Sequence, residues 1–130
     1  MSNLLKTMLA IIGLLFLVLA YLLFAEFPLK FYITNNSSSD IDKVVVSMVE
    51  GDDKKVASES FENITVGSVQ TFKWTPGDVS DSDGGYMFEV YKDGEKIMEK
   101  GFGYYTNGGH LDYEYFVTVS DTEITISLAK

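Results

Sequence analysis

The sequence predicts an all-β fold: an antiparallel sandwich of seven or eight strands, immunoglobulin-like or similar, preceded by one N-terminal transmembrane helix. Three observations carry this. Thr7–Ala25 is an apolar run without a charge. Beyond Pro28 the pattern changes to alternation of apolar and polar residues, clearest in Thr122–Leu128. Polar or glycine-rich segments punctuate the alternating stretches. Residues 1–28 therefore read as an anchor and 29–130 as a β-domain, with an open barrel as the second architecture for the latter.

The apolar run comes first in the chain. As a helix, its 19 residues would span about 28 Å, close to the hydrocarbon thickness of a bilayer. It shows no polar face, unlike a helix packed on a soluble core. Pro28 supplies a stop. A cleaved signal peptide is the competing reading, and it fits less well. Cutting after Val18-Leu19-Ala20 leaves an apolar mature end, and Leu23-Phe24-Ala25 places a bulky leucine where a small residue is wanted. The expectation is a retained anchor. Lys6 and the terminal amine precede the span, and Glu26 offsets Lys30 after it, so the amino terminus should be cytoplasmic and the domain extracytoplasmic. A type IV pilin also begins with an apolar helix, but its glycine–phenylalanine processing site and nearby glutamate are missing here.

The strands follow in order. Leu29–Asn35, Ile41–Val49, Lys55–Phe61 and Val69–Trp74 form the first four candidates. In Tyr86–Lys92, Tyr86, Phe88 and Val90 face inward and Glu89 outward. Ile97–Thr106, Phe116–Ser120 and Thr122–Leu128 complete the set. Asp93-Gly94 is the strongest hairpin signal, because a type I′ turn needs positive φ at both central residues. Asn107-Gly108-Gly109 marks a second hairpin, whose arms would carry Tyr104 and Tyr105 on one side and Tyr113 and Tyr115 on the other. In GFG, Gly101 and Gly103 mark a bulge or room for an aromatic ring.

Composition narrows the chemistry. The chain has no cysteine, hence no disulfide, thiolate metal site or cysteine nucleophile. Acids outnumber bases 19 to 10, and every base is lysine. An acidic chain without arginine is a poor match for nucleic acid. Val79–Tyr86 partly resembles a calcium-binding loop through Asp81, Asp83 and Gly84, but Val79 and Val90 stand where two ligands are required. No cofactor or metal site is expected. His110 is the single histidine, in a glycine-rich turn without a nucleophile elbow, so no enzyme is expected. Three glycosylation sequons begin at Asn35, Asn36 and Asn63.

What remains is binding. Tyr104, Tyr105, His110, Tyr113 and Tyr115 are the candidate contacts for a protein partner or a glycan. The arrangement of short tail, single span and small β-domain resembles that of small bacterial envelope proteins. The expected function is a non-enzymatic protein-interaction module of the cell envelope. One version resembles membrane-anchored immunity proteins that neutralise a basic toxin: residues 31–130 hold 18 acids and 8 lysines. The alternative is a carbohydrate- or cell-wall-binding module that uses exposed aromatics.

Overall fold

The computed structural model describes residues 2–24, 28–76, 83–106, 109–110 and 114–129. It is mostly β, with two sheets packed sandwich-like and one N-terminal apolar helix. Helix α1 spans Asn3–Phe24. It starts a turn earlier than the apolar run because Ser2 caps it: the Leu5 amide donates to Ser2 Oγ at 3.2 Å. Asn3–Leu23 has a mean hydropathy of 2.3 and none of it is buried. The helix is thus long and apolar enough to be a membrane span or a signal sequence.

Among the described residues nine strands follow: β1 (Leu29–Asn35), β2 (Ile41–Glu50), β3 (Lys55–Ile64), β4 (Val69–Trp74), β5 (Gly84–Lys92), β6 (Glu95–Thr106), β7 (Gly109–His110), β8 (Glu114–Val119) and β9 (Ile124–Leu128). One sheet has the order β4-β1-β8-β9, the other β3-β2-β5-β6-β7. The eight stretches that alternate in the sequence are all strands; β7 is a two-residue addition. The turn between β5 and β6 is formed by Asp93 and Gly94 at φ 52° and 78°, the positive values a type I′ turn demands.

Two expectations need correction. The sandwich is not wholly antiparallel: β1 and β8 pair in parallel, with Phe31 opposite Tyr115 and Ile33 opposite Val117. The chain crosses between sheets before β8, so β8 starts at the same pole as β1 and runs the same way. The tyrosine-bearing arms around Asn107-Gly108-Gly109 are also not hairpin partners. β6 pairs with β7 over only Tyr105–His110 and Thr106–Gly109, while β8 belongs to the opposite sheet.

The inward faces meet in one core. Leu29, Phe31 and Ile33 of β1 and Val117 and Val119 of β8 pack against Val44, Val46 and Met48 of β2 and Phe88 and Val90 of β5. At the pole where the chain enters β1, hereafter the entry pole, this core is aromatic. Phe31 stacks on Tyr115 with ring centres 5.7 Å apart and meets Phe102 edge-on at 6.0 Å. Such pairs add about 0.5–1.5 kcal/mol each beyond burial.

The opposite pole is organised by Asn35. Fully buried, its Nδ2 donates to Ser39 O and Ile64 O, and its Oδ1 accepts from the Ser37 amide, each at 3.0 Å. One side chain thereby satisfies backbone groups of two connections. The polar run after β1 is thus a built corner, and the first sequon's amide is committed inside the protein. Asn36 and Asn63, which begin the other two, are exposed.

Candidate functional site

β6 carries an extra residue opposite the start of β5, where the register slips between Gly84 and Tyr86. Gly103 in this bulge adopts φ 63°. A Cβ there would lie 2.8 Å from the Tyr115 hydroxyl and 2.9 Å from the Tyr86 ring, so only glycine gives the conformation and the space. Both sequence readings of Gly103, bulge and ring clearance, hold together. The bulge turns Tyr105 into the core, fully buried, and leaves the neighbouring Tyr104 49% exposed.

Beside the bulge lies an open groove of about 580 Å³ at the entry pole. Gly84, Gly85, Gly101 and Gly103 line it together with Val49, Tyr86, Met87 and Phe102. Tyr104, Glu50 at the end of β2, Asp53 from the β2–β3 connection and Asp83 ahead of β5 complete the lining. Among the described residues the lining holds three carboxylates and no lysine. Glycines in a lining allow close approach of another backbone, and the carboxylates make this one acidic.

The candidate tyrosines separate accordingly. Tyr105 and Tyr115 are core residues, 0% and 2% exposed, and this takes them out of the candidate contact surface. Their rings meet across the sandwich through Tyr86, at 5.6 and 6.4 Å. Tyr104 keeps an accessible ring at the groove. Tyr113 and the side chain of His110 lie outside what the structure describes, as does the acidic turn at 77–82.

Two other clusters were not singled out by sequence reasoning. On the outer face of the five-stranded sheet, Glu89 is only 2% exposed. Its parity is outward, as expected, but long side chains from both flanks close over it. Lys55 of β3 bonds to its Oε1, Lys96 of β6 lies 3.4 Å from its Oε2, and the Tyr91 hydroxyl donates to Oε2 at 3.3 Å. Burial pushes the carboxyl up, but the two lysines outweigh it and hold the group below the ordinary glutamate value.

This lowered value has a pH consequence. Stability from Glu89 is fully present above the ordinary glutamate pKa of 4.5 and is lost as pH falls through the lower folded-state value. Glu89→Gln should cost roughly 1–2 kcal/mol at pH 7. That is less than the 3–5 of a fully buried pair, since Lys55 and Lys96 stay about half exposed and remain hydrated. Urea midpoints measured from pH 7 to 3 should converge for the two proteins toward the acid end. Parallel curves would remove Glu89 from the acid transition.

The second cluster occupies the outer face of the four-stranded sheet. Register places Thr71, Tyr32, Phe116 and Ser127 in one row across all four strands. Phe116 is 50% exposed, and its ring centre lies 5.0 Å from that of Tyr32, tilted by 37°. Phe116 was legible as outward, being out of step with Val117 and Val119; its pairing with Tyr32 was not, because that depends on the parallel β1–β8 register.

At the pole opposite the groove, Lys92 Nζ donates to Ser37 Oγ at 2.9 Å and Ser39 Oγ at 2.8 Å. Ser37 is itself 2.6 Å from Asn35 Oδ1 and only 7% exposed. The lysine fastens the corner. No family model, curated protein or solved structure matches the chain.

Proposed function

We propose that the chain is a membrane-tethered, non-enzymatic interaction module of the cell envelope, its helix retained as an anchor and its sandwich held outside. In this reading the acidic groove at the entry pole docks a cationic, extended segment of another envelope protein. The observation that carries it is the groove itself: a glycine-rich lining, an exposed Tyr104, and Glu50, Asp53 and Asp83. A lysine-bearing strand matches that surface in charge.

The position of the groove supports the same reading and restricts the partner. Four residues separate the end of α1 from the start of β1, and the five Cα–Cα steps between them reach about 18 Å at most. Phe102 in the groove wall packs on Phe31, two residues into β1. The groove is therefore close to the tether. If headgroups take roughly 5–8 Å of that reach, about 10 Å remains. That admits one extended strand, since packed sheets lie about 10 Å apart, but not a folded domain. The partner segment would lie immediately beside the membrane.

The chain should stay in the membrane pellet after alkaline extraction with its N-terminal residues intact, and protease should reach the domain only from the outer side. Replacing Glu50, Asp53 and Asp83 together by their amides should lower co-purification of the partner at least tenfold at low salt, with little change in folding. Release of a processed, soluble domain, or unchanged capture by the amide variant, would contradict the reading.

A further inference from the structure

The outer face of the four-stranded sheet departs from the rest of the surface in chemistry. The chain carries a net charge of −9, yet two successive rows of this face contain no charged residue. One is the row of Thr71, Tyr32, Phe116 and Ser127; the next is Val69, Thr34, Thr118 and Thr125. Toward the entry pole the next row of the face is charged, with Lys30 paired to Glu114 at 3.3 Å beside Lys73.

We infer that this face is a binding site for an uncharged polysaccharide strand. Tyr32 and Phe116 pack together across two central strands, with ring centres 5.0 Å apart, and form an aromatic surface of the kind on which the apolar face of a pyranose stacks. Hydroxyls flank it on both sides, from Thr71 on β4 and Ser127 on β9, at the positions where ring hydroxyls would emerge. The absence of charge selects the ligand class. The charges that reach the platform compensate each other: Lys30 Nζ lies 5.9 Å from the Tyr32 ring centre, the Tyr32 hydroxyl donates to Glu114 Oε1 at 3.5 Å, and Lys30 and Glu114 are themselves paired, so a hydroxyl-rich neutral chain suits the rows better than a charged polymer. The sheet is formed by hydrogen bonds within the domain, so the platform is rigid before binding and little ordering entropy opposes it.

This site is separate from the acidic groove and stands or falls independently of it. The test uses the full chain in detergent micelles, with cellohexaose, chitohexaose and insoluble chitin as probes. Wild type should be retained by at least one of them, insensitively to salt. Phe116→Ala should reduce the affinity at least tenfold, and Tyr32→Phe should retain it, while the amide variant of the groove binds as wild type. Phe116 is half exposed, so its replacement should leave the melting temperature nearly unchanged. Absence of retention on all three probes would overturn the inference. So would retention that survives Phe116→Ala, or a wild-type chain that self-associates through this face in sedimentation and loses that association with Phe116→Ala.

Discussion

Phe31→Ala should lower the unfolding free energy by about 3–5 kcal/mol. The ring is fully buried and lies at the junction of the two sheets. It touches Tyr115 in its own sheet and Phe61 and Phe102 in the facing one, with centres 5.7, 6.3 and 6.0 Å away. These neighbours come from β3, β6 and β8, so no local shift of one strand can close the space that the substitution opens. A domain of this size holds only about 5–15 kcal/mol in total, and urea unfolding should show the midpoint falling by roughly 2 M. Phe31→Leu keeps most of the volume and should cost less than about 2 kcal/mol. A loss below 1 kcal/mol for the alanine variant would mean that the aromatic cluster is not a close-packed core.

Gly84→Ala should be nearly as damaging, for the opposite reason. A Cβ at Gly84 would sit 2.1 Å from Val49 O and 2.6 Å from the Tyr105 hydroxyl. The first is backbone of the neighbouring strand, and the second is the tip of a ring buried on every side. Neither can withdraw cheaply, and overpacking of this kind costs about 1–3 kcal/mol or more. Gly101→Ala is the matched control. Its nearest neighbour would be Tyr86 O at 3.8 Å, an ordinary contact, so its unfolding midpoint should stay within about 0.5 kcal/mol of wild type. Equal losses at positions 84 and 101 would show that the glycine effect is general to the strands and unrelated to the seat of Tyr105.

The contrast between those two glycines marks how far the sequence could be read. Alternation identified every strand of more than two residues, because period-2 burial is a local property of the chain. It assigned Tyr86, Phe88 and Val90 inward and Glu89 outward correctly. It could not say which strands are neighbours. That gap explains the parallel β1–β8 pair, the separation of the two tyrosine-bearing arms into different sheets, and the row of Tyr32 with Phe116. It also explains Glu89, whose burial comes from lysines on β3 and β6 that sequence spacing does not associate with it. The aromatic stretch Phe102–Phe116 held core and surface residues at once. A single bulge at Gly103 sorts them, sending Tyr105 inward and leaving Tyr104 at the groove.

The proposed docking of a cationic segment in the acidic groove is read most directly by cross-linking. A photoreactive phenylalanine analogue placed at Tyr104, in the full chain and in intact membranes, should form a discrete adduct with one membrane protein. The adduct should map to a lysine-bearing stretch next to that protein's membrane segment, and it should disappear in the variant with Glu50, Asp53 and Asp83 neutralised. The same analogue at Ile97, exposed at the far end of β6, should give no such adduct. An identical adduct from both positions, or one at Tyr104 that persists after the three carboxylates are neutralised, would contradict the account.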